Sequence, residues 1–520
     1  MSAPIDVDLD AARLRELGYE QELDRGLKIV DNFALSFAGI SPVVGLYAVV
    51  LVGTVVAGPA WVWVLPVALA GQCLLLVVYA ELASEFPIAG GAYQWSRRLL
   101  GGRYGWFAGW VAICAYAVAN TTIAYLGAPW ALTLLGIDVT AGAIVITGVA
   151  LVVVCSVAGA LGISVLGQAV KAGIVAEAIA SVGIGLALLL VFREQRLSIL
   201  TDTLGAEALS GGSVFAALLA ALAVGGWVFI GFDVGVGASE ETENAARHVP
   251  RAIWIALLSV GVLVILNAIA ATLAHPGPAS VVAGEDLDPV TTAVVTSFGS
   301  WSAKPFAATV LTAFVACGMA AQALTARTIF SLARDGVLPA SRFLRTVDRR
   351  KAPIGAIVAT TIVGCLGLLL GLESTAVGSL IAFGTAAIYV SFLMTAVAAL
   401  LARVRGSWRP AGPVALGRAG IVVNVLAVAW LAFETVNIAW PRESLAPEGA
   451  PFYQVWAAPL VLALIAVIGV AYLFVGRPEA RTAVLAASHL KPAHLDHAQT
   501  EPCEQHQDRE ITRADRADRS

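Results

Sequence analysis

Charge is what this chain has least of. Only 13% of its 520 residues are Asp, Glu, Lys or Arg, against roughly 25% in an ordinary soluble domain. With 59% of the residues hydrophobic and a mean hydropathy of +0.83, water cannot solvate the whole surface, and much of it must face lipid. A cationic excess is missing as well, since 32 Lys and Arg stand against 36 Asp and Glu for a net charge of -4. Binding nucleic acid requires a basic face that neutralises phosphates, so no such partner is expected. Cysteine is scarce and scattered. Cys73, Cys114, Cys155, Cys317 and Cys365 each stand alone in apolar runs, with no metal or redox spacing, and read as small buried hydrophobes. Cys503 lies with His489, His494, His497 and His506 in a tail so polar that disorder, not a metal site, is expected there. GxxxxGKS/T, HExxH and nucleophile-elbow motifs are all absent. Neither ATP-driven catalysis nor other enzyme chemistry is expected, and no cofactor or metal.

Long apolar runs are abundant. A helix needs about 20 apolar residues to cross a bilayer, and about twelve such runs lie between Phe33 and Val475. The expected spans are Asn32 to Val56, Trp61 to Ala83, Tyr104 to Leu132, Thr140 to Gly159, Ile163 to Phe192, and Ser213 to Ser239. Six more follow, at Ala252 to Leu273, Lys304 to Ser331, Ile354 to Leu370, Thr375 to Ala402, Gly417 to Ile438, and Val455 to Phe474. Residues 1–31 read as a polar, acidic N-terminal segment without the basic stub and short apolar core of a secretory peptide. Residues 475–520 read as the polar tail.

Short cytoplasmic loops retain Lys and Arg, and the basic loops here alternate. Arg97, Arg98 and Arg103 follow the second span, Arg247 and Arg251 the sixth, Arg334 through Lys351 the eighth, and Arg403, Arg405, Arg409 and Arg418 the tenth. Leu135 to Thr140 and His275 to Trp301 carry neither residue, and Arg193, Arg196 and Arg442 are the exceptions. Both termini are therefore expected on the cytoplasmic side of the plasma membrane.

In a bundle that has no nucleotide site, a solute site is sought where a spanning helix is broken, because unwinding frees peptide groups that lipid cannot satisfy and a polar guest can. Ile40-Ser41-Pro42-Val43-Val44-Gly45 puts a helix-breaking Pro and a permissive Gly in the first span. Val224-Gly225-Gly226 and Gly231-Phe232-Asp233, with Gly235 and Gly237, do the same in the sixth. A half-helix starting beyond Ser41 aims its positive end at a carboxylate, while freed carbonyls and a nearby acid favour an ammonium. A zwitterionic amino acid fits that pair of ends. The competing reading is that Pro42 and the glycines only kink helices or let them pack closely.

Breaks in the first and sixth of about ten core spans are what two inverted five-helix repeats would produce. Ionisable residues inside a bilayer are costly and are functional candidates by default. Glu177, well inside the fifth span, is the candidate proton coupler, with a permanently protonated or internally paired packing residue as the alternative. Asp233 at the second break either meets substrate or caps freed N–H groups, Glu434 in the eleventh span ranks below both, and Lys171 sits near an interface and snorkels.

Four segments give the chain a family resemblance. Glu85-Phe86-Pro87-Ile88-Ala89-Gly90-Gly91-Ala92-Tyr93-Gln94-Trp95, with Gly101, Gly105-Trp106 and Gly109-Trp110, precedes and enters the third span. Gly231-Phe232-Asp233 through Ser239-Glu240-Glu241, Asn244 and Val249-Pro250-Arg251-Ala252-Ile253 covers the sixth span and the loop after it. Ala333-Arg334-Asp335-Gly336-Val337-Leu338-Pro339 follows the eighth span, and Leu416-Gly417-Arg418-Ala419-Gly420 with Asn424, Ala427, Trp430 and Trp440-Pro441 marks the eleventh. Over nearly its whole length the chain resembles the amino acid/polyamine/organocation permease superfamily, and the last segment resembles its amino acid/choline transporter branch.

The resemblance implies an all-α membrane protein of about twelve transmembrane helices. Its five-plus-five inverted-repeat (LeuT-like) core would comprise residues 32–192 and 213–402, with helices 1 and 6 broken and two additional helices in 417–474. It implies substrate contacts at Ser41, Val43, Val44, Gly45, Gly231, Phe232 and Asp233, with Tyr116 and Asn120 as walls. Proton-coupled relatives often carry a Lys on the fifth helix, where this chain has Glu177; they usually have Pro where it has Ala245. The expected function is a secondary active transporter that moves an amino acid or related amine by alternating access, with the proton as coupling ion. An exchanger and a membrane nutrient sensor remain as alternatives.

Overall fold

Proline and glycine punctuate the chain into its helices, and the computed structural model describes residues 4–372, 377–446 and 449–478. The tail residues His489 to His506 and the start of the tenth expected span at Thr375 lie outside the described residues. Every named element is helical. Among the described residues the one β-type contact is an isolated bridge from Leu27 to Thr242.

The N-terminal α1 (Pro4–Glu16) leads to α2 (Ile29–Ile40) and α3 (Pro42–Ala57), and a 3-10 turn at Gly58–Trp63 then turns the chain into α4 (Val64–Glu85). Next come the short α5 (Gly91–Leu100), the long α6 (Gly102–Leu135), α7 (Ala141–Ala160) and α8 (Ile163–Glu177). A π-helical turn at Ala178–Ile184 joins α8 to α9 (Gly185–Leu190). The second half begins with α10 (Val214–Gly225), a 3-10 turn at Gly226–Phe229, α11 (Val234–Gly237) and α12 (Ala245–Ala274). It continues through α13 (Pro278–Val282), α14 (Pro289–Phe298), α15 (Ala303–Arg334), α16 (Ser341–Leu344), α17 (Ile354–Leu368) and α18 (Val377–Val404), and closes with α19 (Gly420–Ala439), α20 (Phe452–Val455) and α21 (Ala457–Gly476).

Eleven helical stretches of the described residues are long and apolar enough to cross a membrane. The first, Ile29–Glu85, has 57 residues and holds both the first and second expected spans, so the count of about twelve and the observed eleven describe the same chain. The protein is a multi-pass membrane protein. Apolar residues of α7, α19 and α21 such as Ile146, Val436 and Val467 are exposed, as a lipid-facing surface requires, whereas α2, α6, α10, α12 and α15 bury their small residues inside the bundle. Gly53 against the Trp61 ring and Gly71 against the Trp430 ring leave no room for a Cβ, the close approach that small residues permit between membrane helices.

The first break follows from Pro42. Proline disfavours an α conformation at the preceding residue and suits the first turn of a new helix. Ser41 accordingly leaves the helix with φ 51 and ψ 106, a strained geometry for a residue with a Cβ. The second break runs from Ile230, which is extended, to Gly231 at φ +101, where glycine alone is unstrained. Asn32 of α2 repairs part of the second opening, its amide donating to the Gly235 carbonyl and to Thr242 Oγ1, both at 2.9 Å.

Candidate functional site

At the first break, α3 begins with a set of backbone donors that are all occupied. Pro42 has no N–H. The Val43 N–H donates to Glu177 Oε2 at 3.1 Å, the Val44 N–H to Ser41 Oγ at 3.1 Å, and the Gly45 N–H to the Ser41 carbonyl at 2.9 Å. The Ser41 hydroxyl in turn donates to the other oxygen of Glu177. A carboxylate from the last turn of α8 thus occupies the positive end of a half-helix, the position where an anion is best stabilised. Glu177 is 2% exposed, and no ion pair reaches it among the described residues. Lys171, one helical face away, pairs instead with Asp31 at 2.9 Å and stays half-exposed.

The two breaks touch. A Cβ on Gly231 would lie 2.3 Å from the Gly39 carbonyl oxygen, and one on Gly39 would lie 2.6 Å from the Gly231 oxygen. Gly45 approaches the Val228 carbonyl in the same way, and a Cβ there would lie 3.1 Å from its oxygen. Beyond this crossing, Tyr116 of α6 donates its hydroxyl to Asp233 Oδ2. The second oxygen, Oδ1, has no hydrogen-bond partner among the described residues, although Asp233 is only 3% exposed. A buried acceptor without a donor is costly, and the chemistry that answers it is a cationic or N–H-bearing guest.

Asp233 borders a cavity of about 40 Å³, walled by Gly39, Ile40 and Val44 from the first break and Trp227, Ile230, Gly231 and Val234 from the second. Tyr116, Ala119 and Ile123 of α6, Cys317, Ala321 and Leu324 of α15, and Ile388 of α18 complete it. That volume holds about three waters, so an amino acid enters only after the walls separate. Among the described residues no Lys, Arg or His lines the cavity.

Of the residues singled out from sequence, the cavity brings together Val44, Tyr116, Gly231 and Asp233. Ser41, Val43 and Glu177 form the adjoining cluster at the start of α3, and Gly45 supplies the close approach of the two breaks. Phe232 and Asn120 are elsewhere. Phe232 is fully buried between the rings of Tyr79, at 5.5 Å, and Phe392, at 5.7 Å, because the residue after a sharp turn at Gly231 points to the opposite side from Asp233's neighbours. Asn120 donates to Gln322 Oε1 at 2.5 Å and borders a small void with Cys155 and Gly318. Sequence reasoning missed the walls from α15 and α18, whose Cys317, Leu324 and Ile388 look like any apolar residue of a spanning helix. It also missed Gly39 and Trp227, each within a few residues of a recognised break.

One end of the bundle is closed by charged residues. Arg334 forms a two-pronged pair with Glu240 at 3.0 and 2.8 Å, and Glu240 also accepts from the Ala89 N–H at 3.1 Å. Arg327 grips Glu241, with one contact at 2.8 Å. Asp335 binds Arg97 and accepts from Tyr93 at 2.6 Å and Tyr19 at 2.8 Å. Burial, then the adjacent Asp335 charge, pushes the Tyr19 phenol up to about 12, so it remains a donor to that carboxylate. The N-terminal segment straps this end: the Gly26 and Leu27 N–H groups donate to the Glu241 carbonyl at 3.1 and 2.9 Å, and Asn244 N–H donates to Asp10 at 2.6 Å.

Comparison with known proteins gives a family and several relatives. The family described as "Amino acid permease" matches residues 27–474. The chain is 28% identical over 476 residues to "Amino-acid permease BAT1 homolog" of Oryza sativa subsp. japonica, covering 84% of this chain and 88% of that one. It is 26% identical over 473 residues to "Amino-acid permease BAT1" of Arabidopsis thaliana, covering 84% and 89%. Similarity extends at 28% over 411 residues to "Cationic amino acid transporter 4, vacuolar" of Arabidopsis thaliana, covering 74% of this chain and 66% of that protein.

Proposed function

The chain belongs to the amino acid permease family, and from that premise we propose that it carries an amino acid or related amine across the plasma membrane by alternating access, coupled to the proton. The family is one of transporters and not of enzymes, and the substrate is a small molecule of the amino acid class. The finer reading rests on one observation: Glu177 holds the Val43 N–H and the Ser41 hydroxyl, the donors a substrate carboxylate would use.

A zwitterion placed in this cavity puts its ammonium at the unpartnered Oδ1 of Asp233 and its carboxylate at the start of α3. There it meets the negative charge of Glu177, and two anions cannot share one half-helix end without repulsion. A proton on Glu177 removes that charge and releases the Val43 N–H, so proton and substrate favour each other's binding by the same factor. Cotransport follows when the pair leaves together on the opposite side. Residues 32–192 and 213–402 act as the two repeats that rock against each other, with 417–474 outside them. The arginine-bearing end faces the cytoplasm with both termini, as the distribution of Lys and Arg supports.

The test is uptake of labelled amino acids, choline and polyamines into proteoliposomes under an imposed proton or sodium gradient. Glu177→Gln should abolish proton-driven accumulation while leaving exchange of substrate for substrate. A pH dependence equal to that of the unaltered chain removes Glu177 as the coupler, and binding without uptake replaces the carrier by a sensor.

A further inference from the structure

Another buried carboxyl lies outside the cavity. Glu434 of α19 is 0% exposed, and its Oε2 accepts from the Asn437 amide at 3.3 Å. Its Oε1 has no hydrogen-bond partner among the described residues. No ion pair reaches it among the described residues. Arg442, the nearest cation in sequence, donates instead to the Asn437 carbonyl and to Asn437 Oδ1, both at 2.5 Å.

The helices packed around Glu434 supply no compensating charge. From α18 comes Tyr389, whose hydroxyl donates to the Gly226 carbonyl at 3.2 Å and accepts from Gln72 of α4 at 2.5 Å. Gln72 Oε1 is a second acceptor without a donor. The acids of α4, Glu81 and Glu85, lie more than two turns from Gln72, and Glu81 is tied to Arg403. α10 contains no ionisable residue and offers the Leu219 carbonyl, which accepts from Asn437 at 3.1 Å.

The cluster abuts the second break. A Cβ on Gly226 would lie 2.9 Å from the Tyr389 oxygen and 3.3 Å from Glu434 Oε1, so the Glu434 carboxyl is pressed against the first residue of the turn that leads to Trp227 and Gly231. A bare charge there would lie against Gly226 and the Tyr389 hydroxyl, while the nearby Arg442 spends its hydrogen bonds on Asn437 and forms no ion pair with Glu434 among the described residues. A proton on the carboxyl removes the charge and adds the donor that the cluster lacks.

We propose that Glu434 is a second proton-binding site, separate from the solute cavity, which holds the Gly226–Phe229 turn in this packed position when protonated and releases it when the proton leaves. The occupant of the site is the proton itself. The solute pathway then answers to pH at two places, one at each break, joined through different helices.

Infrared difference spectroscopy of the full chain in liposomes, stepped in pH, tests the site directly. A protonated carboxylic acid has a carbonyl stretch distinct from that of a carboxylate. One such band should vanish in Glu434→Gln and persist in Glu177→Gln. In parallel, Glu434→Gln should move or flatten the midpoint of the uptake pH profile by at least about one pH unit, a tenfold change in proton affinity. A purely structural residue would lower uptake equally at every pH. Spectra of Glu434→Gln superimposable on those of the unaltered chain overturn the proposal. The infrared readout needs no transport, so failure of the carrier reading leaves it standing, and failure of this site leaves the carrier reading standing.

Discussion

Replacing Glu240 by Gln removes one charge from the closed arginine-bearing end and leaves Arg334 with its guanidinium 4.0 Å from the Tyr19 ring centroid and without its carboxylate. Both partners are nearly inaccessible, at 7% for Arg334 and 0% for Glu240. Breaking a buried pair from one side costs about 3–5 kcal/mol, because the stranded charge stays desolvated. That cost applies only while the end is closed. An opened end rehydrates Arg334, so the closed-to-open balance should fall by roughly two to three and a half orders of magnitude at about 1.4 kcal/mol per decade. Cys317 reports the change: it lines the cavity, is 1% exposed, and contacts the Gly39 carbonyl at 3.6 Å. In a variant that keeps Cys317 as its sole cysteine, a membrane-impermeant thiol reagent supplied from the arginine-bearing side should label Glu240→Gln at least tenfold faster. Saturating substrate should slow that labelling. Equal rates with and without Glu240→Gln would show that the charged layer does not control access to the cavity, and the reasoning would fail.

Asp233→Asn keeps the Tyr116 hydrogen bond and discards the charge, so it should weaken apparent affinity for amine-bearing substrates about 10- to 100-fold, the size of one charge-assisted hydrogen bond; concentration-dependent uptake measures it. Gly231→Ala combines a φ of +101 with a Cβ 2.3 Å from the Gly39 oxygen. It should abolish transport and lower the thermal midpoint of the detergent-solubilised chain, since the strain alone is about 1–2 kcal/mol. In the connection after α12, Asp286 is bound by His275 at 2.9 Å. Burial pushes its carboxyl up, but the His275 and Asp288 hydrogen bonds outweigh burial and hold it below the ordinary carboxylate range. A depressed folded-state value means that this stabilisation is full above that range and is lost as pH falls through and below it. Pepsin should therefore cut this loop only on strong acidification, and at higher pH in His275→Gln.

The spanning helices were legible because membrane burial leaves a long composition signature that needs no knowledge of neighbours. The expected starts and ends of α6, α7, α15 and α21 fall within three residues of those observed. The first break was legible from Pro42, whose missing N–H and steric demand act on its own neighbours. What could not be read was pairing across sequence. Ser41 and Glu177 each stand out in the sequence, but their 136-residue separation hides the hydrogen bond between them. Phe232 stands beside Asp233, yet only the turn at Gly231 decides which of the two side chains meets the cavity. The N-terminal segment reads as a polar lead-in, and its backbone contacts with Glu241 depend on a loop more than 200 residues away.

The π-helical turn at Ala178–Ile184 starts at the residue after Glu177. A wide turn of this kind holds surplus chain that can migrate along a helix by exchanging hydrogen-bond partners one at a time, with no need to unfold it. Were it to slide toward α8 past position 177, the carboxyl would swing by about 100°, the angular step of one residue, and leave the head of α3. The fifth spanning helix thus carries its own phase adjustment, by which an acid can be turned toward or away from the start of another helix while both ends of its own helix stay anchored.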